Sequence, residues 1–297
     1  MNEIQYIKQF IQASESQISQ TVSLLNEQCT IPFIARYRKE ATGNLDETVI
    51  EKIADFAKDF ELLIKRKESI LKSIEEQGFL DVDLKHKIDK CFEINELEDL
   101  YLPFKKKKTS KGSVAKNKGL EPLANKLMQQ YETHIESVAK TFINDQVLTV
   151  EEALQGACDI VAEWINEHTV TRKKLRNTYA QTAFISCKQN KKYDGDVSKY
   201  KAFFDQSELI RKCPSHRLLA ILRAENEGVL SVAIDVDSAE MIRLLEGYFI
   251  KSYKSCYPYM QLAIKDAYKR LLHPSLSNEV LQVNKERADD EAISIFA

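Results

Sequence analysis

Three Asp-x-Asp pairs, Asp81/Asp83, Asp194/Asp196 and Asp235/Asp237, are the residues in this sequence whose type and spacing come nearest to a catalytic arrangement. Clustered carboxylates can share the two divalent ions that a nuclease uses to activate water and steady the leaving oxygen. Each pair stands at a turn or a helix start, however, where aspartate is expected to cap backbone N–H groups. The five histidines (His86, His134, His168, His216, His273) occur singly, without an H-E-x-x-H spacing, so no zinc site is expected. Ser215 beside His216 falls at a helix N-terminus, where serine caps, and no G-x-S-x-G elbow, phosphate loop or dinucleotide fingerprint is present. The six cysteines (Cys29, Cys91, Cys158, Cys187, Cys213, Cys256) are widely spaced, with no C-x-x-C pair, and are expected as reduced core thiols. No catalytic residue, metal or cofactor is expected, and the chain is not expected to be an enzyme.

Charge is the more informative chemistry. The formal net charge is −2, but acidic Glu93, Glu96, Glu98 and Asp99 give way to Lys105, Lys106, Lys107, Lys108, Lys111, Lys116 and Lys118, with no carboxylate between Leu100 and Leu120. A lysine-rich loop between helices can hold phosphates by charge without reading bases; the same lysines can equally form a solvated loop that balances the acidic helix. Arg36, Arg38 and Lys39 fall within one helical turn, either as phosphate contacts or as partners of neighbouring carboxylates and of the helix C-terminus. Tyr248, Tyr253, Tyr257 and Tyr259 lie near Lys251 and Lys254, a mixture that can stack on single-stranded bases; packing between two helices accounts for them better.

The element that must position these groups runs from Asp46 to Gln77. Val49, Ile53, Phe56, Phe60, Leu63, Ile70 and Ile74 recur in steps of three and four, with Lys67 breaking the seam, and Ile50, Ala57, Ile64 and Leu71 widen it. This is a helix about 45 Å long, packed by several neighbours, capped by Asp46, stapled by Leu45 against Ile50 and stopped at Gly78. Before it, Thr30 caps a helix with Pro32 in its first turn and Gly43 at its end. After it, an Asp81 or Asp83 cap opens a helix through Ile88, and Asn95 with Glu98 opens another, so that residues 60–104 resemble a helix-turn-helix unit. Thr149 and Glu152 make a capping box for a helix whose apolar stripe includes Trp164. Leu230, Val232, Ile234 and Val236 alternate as a strand, which must pair with the Thr182–Cys187 region to satisfy its backbone. Helices follow from Ser215 to Gly228, from Ser238 through Tyr248, from Tyr259 to His273 with Pro274 as a stop, and from Ser277 onward.

Few glycines (eight) and prolines (six) in 297 residues mean long elements, so the fold class is mainly α: a multi-helical, bundle-like arrangement with a minor two- or three-stranded β element. Polar residues at the N-terminus and the lack of an 18-residue apolar run predict a soluble, cytoplasmic protein with no membrane partner.

Thr30–Glu47 (TIPFIARYRKEATGNLDE), Leu97–Ala124 (LEDLYLPFKKKKTSKGSVAKNKGLEPLA), Pro214–Leu230 (PSHRLLAILRAENEGVL) and Arg287–Ala297 (RADDEAISIFA) resemble, in that order, the N-terminal part of the Tex family of bacterial transcription accessory proteins. The resemblance implies a longer protein that continues into an RNase H-like domain, helix-hairpin-helix motifs and an OB-type RNA-binding domain. It makes residues 1–190 an N-terminal helical region containing the basic loop at 105–118, and 191–297 a second helical region with a short β element. It further implies association with RNA or DNA without sequence preference, weak in this fragment because the main binding domain lies outside it. Transcription machinery and the protein's own downstream domains are the other expected partners, and a pure protein-docking module is the alternative. Two departures stand out. Ala224 replaces a glycine usual after the arginine, and Lys105–Lys108 lacks interleaved proline and arginine, so point charges replace bidentate phosphate grips.

Overall fold

The apolar seam forms one unbroken helix, Glu47–Glu76. In the computed structural model, which describes residues 1–105 and 109–296, it is the spine of the first of two compact units, Met1–Lys106 and Lys107–Ala297. The first unit contains α1 (Glu3–Lys8), α2 (Glu15–Asn26), α3 (Ile31–Tyr37), α4 (Lys39–Thr42), the spine α5 (Glu47–Glu76), α6 (Val82–Lys90) and α7 (Ile94–Tyr101).

Both ends of α5 are set locally. Asp46 accepts a 2.8 Å hydrogen bond from Val49 N, Leu45 packs in the same cluster as Ile50, and Gly78 follows at φ +74°, a conformation that a Cβ would strain. Its first half builds two small cores, Ile53 with Ile7, Ile18 and Val22, and Ile50 with Leu24, Ile34 and Ala35. Its second half builds a third, in which Leu63, Ile70 and Ile74 meet Ile88 of α6 and Leu97 of α7. Phe56 and Phe60 stay half-buried and meet rings from α1 and the turn after it, with Phe10 stacked 4.6 Å from Phe56 and Tyr6 5.3 Å from Phe60. Lys67 does not interrupt the seam. It is buried, donates 2.8 Å to Asp89 O and lies 3.8 Å from the Phe92 ring centroid.

Several local expectations are corrected. Thr30 occupies the cap position of α3, but its side chain makes no capping hydrogen bond, and the helix breaks at Arg38 (φ −125°) before α4. Helix α7 starts one residue earlier than Asn95 and has no capping box. The Glu98 carboxylate that would complete one is engaged by Arg66, at 2.5 and 3.1 Å. Asp81, not Asp83, caps α6, which a three-residue turn joins to α7.

The second unit contains α8 (Lys111–Asn117), α9 (Glu121–Gln129), α10 (Ile135–Ala139), α11 (Val150–Glu167), α12 (Thr169–Thr182), α13 (Ser215–Asn226), α14 (Ser238–Phe249), α15 (Tyr257–Asp266) and α16 (His273–Phe296). Strands β1 (Phe184–Gln189), β2 (Gln206–Leu209) and β3 (Leu230–Asp235) form an antiparallel sheet in the order β2-β1-β3. The pairing of β1 with β3 follows from the two apolar runs, with Ile185 opposite Ile234 and Cys187 opposite Val232. Strand β2 carries no apolar alternation and takes its place only by filling the other edge of β1. These pairings tie residues 184–189 to segments on the far side of residue 190, all within the second unit.

Helix α11 is the centre of this unit, with Ala153, Ala157, Ile160, Val161 and Ile165 in one large core and Trp164 half-buried against it. Its capping box is displaced by one residue: Thr149 accepts from Glu152 N, while Glu152 accepts from Leu148 N. Pro274 does not stop the helix before it. Residues Ala267–Leu272 widen into π geometry and the chain runs straight on into α16. A proline lacks an N–H and crowds the preceding turn, and a π stretch absorbs the misfit. Ser215 likewise is the first residue of α13 and not its cap, and its hydroxyl is spent on Glu291. Charge is tied inside as well: Arg172 and Arg176 of α12 grip Glu279 of α16 at 3.0 and 2.7 Å.

Candidate nucleic-acid interface

Arg36 and Arg38 are exposed, and the reason is the inward face of α3. Ile34 and Ala35 fill the pocket made by Leu24 and Ile50, which turns Phe33, Arg36 and Tyr37, at helical spacing, toward solvent. The break at Arg38 places its guanidinium carbon 5.6 Å from the Phe33 centroid, a cation–π contact. Among the described residues no carboxylate pairs with Arg36, Arg38 or Lys39, so the alternative of neutralisation by neighbouring acids is not what the structure contains. Phe33 and Tyr37 themselves drew no attention in the sequence. The signal that could have found them is that Ile34 and Ala35 already supply the inward face of so short a helix.

Lys105 leaves the turn Leu102–Phe104, which Gln77 pins by a 3.1 Å bond to Phe104 O, and its side chain is exposed. Lys106, Lys107 and Lys108 lie outside the described residues. Lys111 is the first residue of α8, a poor place for a cation beside the positive helix end. The compensation is Glu163, a buried carboxylate of α11 that accepts a 3.0 Å bond from Gly112 N; a side chain at position 112 would collide with it. Lys111 and Lys118 border a cleft of about 810 Å³ whose other wall is Glu151, Glu152 and Asp159. Burial pushes the Asp159 carboxyl above its usual range, while Lys111 and Arg270 pull it back. Lys116 is taken up by Glu121 at 3.2 Å and by the Trp164 ring. A phosphate in that cleft would meet carboxylates, so the part of the basic segment on α8 is the less suited to polyanions.

The tyrosine group is not one surface. Tyr259 donates to Glu136 at 2.9 Å, and burial first and this bond second push its phenol up to about 12. Tyr248 sits with His168 and under Lys174, and Tyr253 packs on Tyr257 at 5.0 Å. One aspartate of each pair is spent on backbone N–H groups: Asp81 caps α6 through Leu84 N, Asp237 caps α14 through Ala239 N, and Asp196 accepts from Ser198 N in a turn. Among the described residues no three His, Cys, Asp or Glu side chains converge as metal ligands, and no helix is long and apolar enough to cross a membrane.

Comparison with known proteins places this geometry. Residues 130–296 match the family model described as Tex central region-like, and residues 1–75 match the Tex-like protein N-terminal domain. The chain belongs to the Tex family. It is 37% identical to the YdcI protein of Bacillus subtilis, over 99% of this chain and 41% of that protein. It is 34% identical to the transcriptional accessory protein Tex of Neisseria gonorrhoeae, over 100% of this chain and 40% of that one. Human S1 RNA-binding domain-containing protein 1 is 26% identical, over 93% of this chain and 29% of its own length. The chain thus spans about two fifths of the length of the bacterial Tex relatives it matches. Ala224, where Tex proteins were expected to carry glycine, is fully buried in the last turn of α13 with no left-handed backbone, so alanine is accommodated there without strain.

Proposed function

We propose that this chain is the helical scaffold region of a Tex-like transcription accessory protein, adding weak, sequence-nonspecific phosphate contact to RNA or DNA. The observation that carries the proposal is the exposed trio Arg36, Arg38 and Lys39 with no carboxylate partner among the described residues. Lys105–Lys108 are a separate run of cations in the sequence, and Lys111 is the less suited to phosphate because of the acidic wall it faces. Membership of the Tex family supports a role beside the transcription machinery and with the downstream domains of the full-length protein. The main nucleic-acid affinity resides in those domains, and the chain itself is not catalytic.

Helices α6 and α7 act as a packing unit, not as a reader of the major groove. The second helix of the pair carries Glu96, Glu98 and Asp99 and no cation, so it would be repelled by phosphates.

Titration of single-stranded RNA against salt tests the phosphate contact. With three or four lysines engaged, the log-log slope is roughly −2 to −3, and alanine at positions 105 to 108 should flatten it. Unchanged affinity and slope remove the lysine loop from the account. The second function is a protein-docking module, for which Val283 and Ile293 on α16 are exposed apolar side chains. Association with transcription proteins that survives nuclease treatment would select it.

A further inference from the structure

We infer that the outward face of α3, formed by Phe33, Arg36, Tyr37 and Arg38, is a seat on which unpaired bases of a single strand stack. The inference rests on the phosphate-contact proposal above and gives it a place and a ligand class.

Tyr37 is 71% exposed and Phe33 38%, although α3 is one of the helices that close the core around Ile50. Their ring centroids are 5.3 Å apart and tilted by 38°, so together they present a continuous aromatic ledge. Arg38 is held over one end of this ledge by its contact with Phe33, and Arg36, three residues beyond Phe33, lies on the same side of the helix. Lys39 follows at once. Glu40 is the sole acidic residue between Thr30 and Leu45, and it pairs with none of these cations among the described residues.

Exposed rings interleaved with cations suit a polyanion better than a protein face. The centre of a protein interface is depleted of charge, because each cation buried there needs its own partner. A nucleic-acid strand brings one phosphate per nucleotide and a flat π-face that any aromatic ring accepts. Base faces are covered in a duplex, so the ledge is matched to a single strand and should be tolerant of sequence. The ledge is also preorganised, since Ile34 and Ala35 anchor the backbone beneath it.

Fluorescence anisotropy with two labelled strands of equal charge, an oligoadenylate and an abasic strand of about twelve nucleotides, within the usual site sizes, isolates stacking from charge. The wild-type chain should bind the oligoadenylate more tightly. The double substitution F33A/Y37A should weaken oligoadenylate binding roughly 5- to 150-fold, the range set by one stacked base. Its abasic binding and salt slope should not change, and Tyr37→Phe alone, which keeps both rings, should bind at the wild-type level. Tyr37 is largely exposed and Phe33 partly so, and thermal unfolding serves as the control for folding. If F33A/Y37A binds oligoadenylate as tightly as wild type while R36A/R38A loses salt slope, the stacking seat is wrong and the phosphate contact stands. If the wild-type chain binds neither strand at low salt, both fail. Self-association lost in F33A/Y37A, with RNA binding unchanged, would assign the face to a second copy of the chain and overturn the inference.

Discussion

The ammonium of Lys67 donates a 2.8 Å hydrogen bond to the carbonyl oxygen of Asp89, joining the middle of the spine α5 to the last turn of α6. Carbonyls at a helix C-terminus lack intrahelical donors, so a buried lysine from another helix does here what a local cap does elsewhere. Phe92 lies against the same ammonium, and burial lowers the Lys67 pKa. Lys67→Ala removes the stem, the donor and the ring contact at once, and should destabilise the first unit by about 2–3 kcal/mol. Lys67→Met keeps the stem and relieves the buried charge, so its loss should be about 1 kcal/mol or less. Urea unfolding followed by circular dichroism distinguishes them; equal losses would mean that the stem contributes nothing.

Alkaline pH should unfold the second unit through its thiols. Burial, the largest cause in each case, pushes Cys158 and Cys213 up to about 12 and Cys187 up to about 11, from an ordinary value of 9. The unfolded chain therefore releases these protons first, and stability present below pH 9 is lost as pH rises toward 12. Each thiol contributes at most about 1.4 kcal/mol per pH unit in that window. Unfolding midpoints measured between pH 8 and 11 should fall, and Cys158→Ala should make the fall shallower. A flat profile would contradict the buried, protonated thiols.

Gly156 lets α11 approach the turn before α9. A Cβ there would lie 2.3 Å from Leu120 Cδ1 and 3.3 Å from Ala115 Cβ, both buried. Gly156→Ala gains about 1 kcal/mol of helix propensity but should lose about 1–3 kcal/mol to overpacking, lowering Tm. Adding Leu120→Ala should relieve the clash, so the two losses should be less than additive in a thermal-melt cycle.

Arg36 and Arg38 should be separable from the lysine loop by salt. Removing both arginines should flatten the log-log slope for single-stranded RNA by roughly 1.4, about 0.7 per contact, with no change in thermal stability because both side chains are exposed. An unchanged slope would leave α3 without a phosphate role.

What the sequence determined by itself is local or periodic. Asp46, Gly78 and the seven apolar positions of the seam specify α5 because capping and helical periodicity act over a few residues, and alternation at Leu230–Ile234 specifies β3 for the same reason. Family membership was legible too, in four stretches long enough to be distinctive.

Tertiary structure alone decided the rest. Lys67 reads as a flaw in the seam until Asp89 and Phe92, more than twenty residues away, are brought beneath it. Pro274 reads as a stop because its effect on the preceding turn is local, yet packing of Leu272 and Leu276 in the core holds the helix through it and the backbone widens. Strand β2 has no pattern of its own and exists because β1 had an unpaired edge. For the candidate interface, the cations were visible in the sequence. Which were already neutralised, Lys116 by Glu121 but, among the described residues, neither Arg36 nor Arg38, depends on carboxylates whose distance only the folded chain sets.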